Sequence, residues 1–225
     1  MKKISFVVLG LFCLSFILTS VFNKQSANTA LAEQVDTNMV AIQETINKEV
    51  ELRSEIAMSS NPYDYIKDNE DFENIVSLGN DALPVLQSKI QQSPNDGLQE
   101  YILAIAIEEI SKTDLKKNPS TEWISAKDFE GEWKNFLKEI PSKVDIISKS
   151  SEASSDKVNG LLELGTPAIP FIIDKVEEGN KDLLPALEVL TKEDGNLKMN
   201  SSLSTEELVK SKEKYKNLRN YVIGQ

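Results

Sequence analysis

The chain has no histidine and one cysteine, Cys13. Without histidine there is no His-based triad, no imidazole general base and no His metal ligand. A lone thiol makes neither an internal disulfide framework nor a cysteine zinc site. Cys13 lies in an apolar stretch, where it reads as a small hydrophobe. Glycine is scarce, at 9 of 225 residues, which leaves little means of wrapping backbone N–H groups around a phosphate. No Gly-x-Ser-x-Gly elbow occurs, and the Ser-x-x-Lys matches at Ser154–Lys157 and Ser211–Lys214 lack the companion motifs of a penicillin-type nucleophile. Positive charge is in the minority: 25 Lys+Arg against 36 Asp+Glu give a formal −11. Such a surface repels nucleic acid and anionic lipid and favours cations or basic partners.

The N-terminus reads as an export signal. Lys2 and Lys3 precede an uncharged run from Ile4 to Val21, and Ala30-Leu31-Ala32 offers a small-x-small cleavage site before Glu33. Eighteen uncharged residues are also roughly enough to span a bilayer, so retention as an anchor through residues 4–21 is the alternative to cleavage. In both cases the basic start stays inside and the body is exported, to a secreted or extracytoplasmic location. Cleavage after Ala32 would remove three lysines and no acid, lowering the formal charge from −11 to −14.

The remainder reads as helical, with no sustained strand alternation. Met39, Ile42, Ile46 and Val50 recur at steps of three and four, as on one helical face. Asn61-Pro62 restarts the chain with a capping residue and a helix-start proline. The acid-rich 68–73 stretch lacks the glycine and terminal glutamate of a calcium loop and reads as a charged helix start. Residues 98–110 are apolar nearly all round, which places that helix centrally. Residues 112–122 read as a polar loop. Ser125 opens a helix with Phe129, Trp133, Phe136 and Leu137 on its core face, expected to end before Pro141. The serine-rich 148–155 stretch is a linker candidate, and Ser204-Thr205-Glu206-Glu207 caps a single last helix with Leu208, Tyr215, Leu218 and Val222 inward.

One pattern recurs. Leu78-Gly79-Asn80-Asp81-Ala82-Leu83-Pro84 and Leu164-Gly165-Thr166-Pro167-Ala168-Ile169-Pro170 share Leu, Gly, Ala and Pro at an offset of 86. Gly79 and Gly165 are suited to a left-handed helix end. Asn80 or Asp81, and Thr166, are placed to cap the next helix, and Pro84 and Pro170 fall in its first turn. The pattern resembles HEAT-like helical repeats over residues 70–111 and 156–191. That resemblance implies an all-α, short HEAT-like helical-repeat array with a binding role and no chemistry of its own. A degenerate middle unit would occupy 112–155. The expected organisation is a signal peptide or anchor at 1–32, an N-terminal helix at 33–60, a first helical-repeat region at 61–147, a second repeat at 148–203 and a C-terminal helix at 204–225.

The candidate binding residues are Glu108, Glu109 and Trp123. Adjacent Glu108 and Glu109, with Glu100 two turns earlier, read mainly as a solvated face and secondarily as a contact for a cation or basic partner. Trp123, in a polar loop before a helix cap, is either a staple onto the next helix or an exposed ligand contact. No catalytic or metal-ligating set emerges and no cofactor is expected. The sequence therefore points to an exported non-enzymatic helical-repeat protein that binds a protein or peptide. The alternatives are an acidic, cation-responsive envelope protein and a carboxylate-dependent cell-wall hydrolase.

Overall fold

The computed structural model describes residues 4–192 and 205–225, with side chains described from Ala27 onward except at 205, 206, 208 and 209. The side chains of the Ile4–Val21 run, Cys13 and Leu208 thus fall outside the described set, as does nearly all of the polar break at 192–203. The chain is all-α: helix makes up 78% of it, and the described residues include no strand. Among the residues whose side chains are described, no helix is long and apolar enough to cross a membrane.

The first helix, α1 (Ile4–Leu52), runs 49 residues, about 74 Å at 1.5 Å per residue. Val35, Ile42 and Ile46 are buried, and Leu31, Ala32 and Met39 pack half-buried beside them. The Ala30-Leu31-Ala32 segment therefore lies within a helix, on its packed stretch. Then follow α2 (Glu70–Ser77), capped by Asn69 Oδ1 on the Phe72 N–H, α3 (Leu83–Gln92) and α4 (Leu98–Ser111). A second long helix, α5 (Ala126–Lys149), precedes α6 (Ser154–Glu163), α7 (Ile169–Glu177) and α8 (Leu184–Leu190). The chain ends in α9 (Thr205–Lys214) and α10 (Lys216–Ile223).

The two quartets pack in the same order. Helix α1 lies on α2 and α3, and α5 lies on α6 and α7; α4 packs on α2 and α3, as α8 packs on α6 and α7. Even an ion pair recurs. Lys89 of α3 meets Asp36 of α1 at 2.5 Å, and Lys175 of α7, 86 positions later, meets Asp145 of α5 at 2.8 Å. The corners match as well: Gly79 has φ +67° and Gly165 φ +65°, each begins or precedes a 3-10 turn, and each turn runs into a helix with proline in its first turn. Ala82 and Ala168 are fully buried, Leu164 and Pro170 are buried, and Leu78 and Pro84 are half-buried. Helix α5 joins the quartets by packing on α3 and α4 as well as on its own partners. Helix α10 crosses the seam, where Tyr221 accepts from Trp133 Nε1 at 2.7 Å and donates to Gln87 Oε1 at 2.5 Å.

Four expectations need correcting. Neither α3 nor α7 takes a side-chain cap from the corner, because the 3-10 turns place Ala82 and Ala168 at the caps. Asn80 and Thr166 instead bond each other, Thr166 Oγ1 donating to Asn80 Oδ1 at 2.5 Å. Second, α5 does not stop at Pro141. Ile140 and Val144 continue the stripe of Phe136 and Leu137 and are fully buried. A proline costs ~3 kcal/mol inside a helix, but burying Val144 beyond it returns roughly 1.5–3 kcal/mol, and Ile147 packs half-buried one turn further on. Third, residues 112–155 contain one 3-10 turn, one long helix and the start of α6, not a helix pair. Fourth, the C-terminal helix bends at Tyr215 (φ −94°, ψ 13°), so that α9 packs on α7 while α10 reaches α5.

Candidate functional site

Of the predicted site residues, Glu108 and Trp123 meet where the chain folds back after α4, and Glu109 does not join them. Helix α4 ends at Lys112 in the left-handed conformation (φ +55°), and the chain folds back through a 3-10 turn, Leu115–Lys117, before Trp123 and the cap of α5. Glu108 and Glu109 point apart, as adjacent residues on a helix must. Glu109 is exposed, but Glu108 is buried, against the expectation of a solvated pair. The cause is the returning loop: Glu108 Oε1 accepts from the Leu115 backbone N–H at 2.9 Å and from Trp123 Nε1 at 3.1 Å. Burial pushes the Glu108 carboxyl above the ordinary glutamate range, and those two donors pull it back only in part. Glu100 belongs to no cluster with it. Eight residues earlier, about 12 Å along the helix, it closes the opposite end of α4, accepting from Gly97 N–H at 2.9 Å and Ser93 Oγ at 2.6 Å. Burial alone would raise its carboxyl; the hydrogen bonds from Ser93 and Gly97 win, and it lies low.

Trp123 is buried, not an open ligand contact. It packs edge-on against Phe129 of α5, centroids 5.0 Å apart, and lies 4.6 Å from the Tyr101 ring. This is the staple geometry moved one residue outward, for Ile124, next to the Ser125 cap, is exposed. Residues that the sequence reading did not single out complete the cluster. Lys116 places its ammonium 3.7 Å from the Trp123 ring centroid, 4.8 Å from Tyr101 and 5.6 Å from Tyr63, and donates to the Tyr101 hydroxyl. Tyr101 falls within the apolar 98–110 stretch and Lys116 within the polar 112–122 stretch, where neither is distinguished by sequence.

On its other flank the same loop walls a groove of about 880 Å³, bounded by α5 and α6. Leu115, Pro119, Phe136, Leu162 and Leu164 supply apolar surface. Three lysines, Lys112, Lys117 and Lys143, face it with two acids, Asp114 and Glu163. The acids are structurally engaged: Asp114 caps the 3-10 turn through the Lys117 N–H, and Glu163 pairs with Lys117 Nζ at 3.0 Å. Both are solvent-exposed. No group of three or more His, Cys, Asp or Glu residues suited to a metal ion occurs among the described residues.

Comparisons with protein-family models, with curated proteins and with solved structures found no match to this chain.

Proposed function

We propose that this chain is an exported, non-enzymatic helical scaffold that binds an extended protein or peptide segment in the groove between the 112–121 loop, α5 and α6. The supporting observation is the groove's chemistry. In a chain of net −11 it gathers three lysines against two acids over an apolar floor. Such a surface suits a segment carrying apolar side chains and at least one carboxylate, the charge arrangement that guides encounter and register. The lysine-led apolar N-terminus supports export. The absence of histidine and the structural engagement of Asp114 and Glu163 support a role without catalysis. We further propose that α1–α4 and α5–α8 are two copies of one unit, arranged as a short HEAT-like array. The matched packing order, the similar positive φ angles of Gly79 and Gly165, and the Lys89 and Lys175 ion pairs support this reading.

The test is selection from a displayed peptide library on the intact chain, followed by titration against Leu162→Glu. Leu162 is half-buried on the groove wall, so the substitution places a carboxylate where the partner's apolar side chain would sit. Selected peptides should be apolar and acidic, and should lose at least tenfold in affinity for the variant. Peptides that bind the variant equally well, or selection of basic sequences, would contradict the proposal.

A further inference from the structure

The Lys116 ammonium rests on the Trp123 ring and is hydrogen-bonded at the hydroxyl edge of Tyr101, with the Tyr63 ring farther out. Among the described residues no Asp or Glu lies within ion-pair distance of it, in a chain carrying 36 acids. Its neighbours are Trp123 at 3.7 Å, Tyr101 at 4.8 Å and Tyr63 at 5.6 Å to the ring centroids. Aromatic faces attract a cation through the negative face of the ring quadrupole, and that attraction grows as water is removed. The indole has further help. Its N–H donates to the buried carboxylate of Glu108, which raises the electron density of the ring on which the ammonium rests. Carboxylate, indole and cation thus stand in series.

We propose that Tyr63, Tyr101 and Trp123 form a recognition cage for an alkylammonium group, and that Lys116 is its tethered occupant, which an external ligand must displace. Three features carry this. The cage is assembled from three separate stretches, the 3-10 turn Pro62–Tyr65, α4 and the loop before α5, all aimed at one cationic position. Its outer wall is accessible, for Tyr63 is 40% exposed. The occupant sits on a three-residue 3-10 turn at the end of a flexible four-carbon stem, so it can leave without unfolding a helix. Because the site is competent only when Lys116 is out, the apparent affinity falls by the fraction of time the cage is empty. None of Tyr63, Tyr101, Lys116 and Trp123 lines the groove, so this site stands or falls independently of the peptide-binding proposal.

The probes are choline, its uncharged carbon isostere 3,3-dimethyl-1-butanol, and N-acetyl-lysine methylamide, each titrated while the two indole N–H resonances are followed by NMR. Trp133, fully buried and separated from Trp123 by the Phe129 ring, serves as the internal reference. Lys116→Ala should bind choline at least tenfold more tightly than the parent chain, with the shift confined to the Trp123 indole and no response to the isostere. A response to choline alone identifies a small quaternary ammonium as the ligand type, and a matching response to the lysine derivative extends it to a lysyl side chain. Adding Tyr63→Ala should cancel the gain. Lys116→Gln, which keeps length and polarity without charge, replaces Lys116→Ala if the smaller side chain unfolds the loop. The proposal is overturned if the folded variants ignore both ammonium probes at 100 mM, if the neutral isostere binds as well as choline, or if neither variant folds, since Lys116 is then a structural strut.

Discussion

Gly79 and Gly165 turn the chain through nearly the same left-handed φ, yet the space around them differs. A Cβ built on Gly79 meets nothing within 4 Å, whereas one built on Gly165 falls 2.2 Å from the Ser111 carbonyl oxygen and 2.6 Å from Thr113 Cγ2. The second corner is thus driven against the end of α4, and the first is left open. Local sequence sets the turn at both corners; tertiary placement decides what each turn is used for. The groove lies where the second corner meets α4, since Leu164 lines it beside Lys112 and Thr113. A departure from equivalence, not the equivalence itself, makes the groove.

The sharpest way to break this comparison is to add a methyl group at each corner. Gly79→Ala incurs the positive-φ cost of about 1–2 kcal/mol, and Gly165→Ala, at φ +65° and ψ −164°, incurs about 1–3 kcal/mol in a region close to glycine-only. Gly165→Ala adds an overpacking cost of roughly 1–3 kcal/mol against backbone that cannot swing away. Urea unfolding should therefore show Gly165→Ala destabilised by about 2–6 kcal/mol and Gly79→Ala by about 1–2 kcal/mol. Equal losses would mean that the second corner does not press on α4.

The Glu108 latch separates the quartets next, because it pins a loop that follows α4. The carboxyl is raised in the folded chain, so the native state holds its proton more tightly than the unfolded state. Stability contributed this way is present below the ordinary glutamate pKa of 4.5 and is lost as pH rises through the folded value. Relative to Glu108→Gln, which cannot titrate there, the parent chain should lose stability as pH climbs from about 4.5 toward neutrality. Thermal melts across that range check the sign. A relative gain with rising pH would show that the two N–H donors outweigh burial. Glu100, held low by Ser93 and Gly97, carries the opposite sign: its contribution is lost as pH falls through its folded value, below 4.5.

The smallest expected effect is the link between the corners themselves. A double-mutant cycle of Asn80→Ala and Thr166→Val should give a coupling of about 0.5–1.5 kcal/mol, the usual net worth of one hydrogen bond. Zero coupling would mean that the two corners touch without supporting each other.

Much of this architecture was legible in residue spacing. The all-helical class, the central position of α4, and the Leu-Gly and Ala-x-Pro elements of the corners followed from apolar steps and from residues with special backbone needs. What escaped notice depended on partners far along the chain. Pro141 signalled a helix end, but Ile140 and Val144 found a core to fill. Asn80 and Thr166 had the chemistry of caps and found each other across 86 residues. Of the candidate site, Glu108 and Trp123 were picked out separately. Their hydrogen bond needed the loop to fold back, and no periodicity encodes that. Lys116 was one lysine among many until three aromatic rings from three stretches met around it. Glu109 stays on the surface, and nothing in the fold enlists it.

Hydrogen exchange, measured with and without the tightest selected peptide, tests the central claim most directly. Binding in the groove should slow exchange in 112–121 and 159–165 and leave the first corner, 79–84, unchanged. Protection centred on the first corner, or spread over α1 with none in the 112–121 loop, would contradict it.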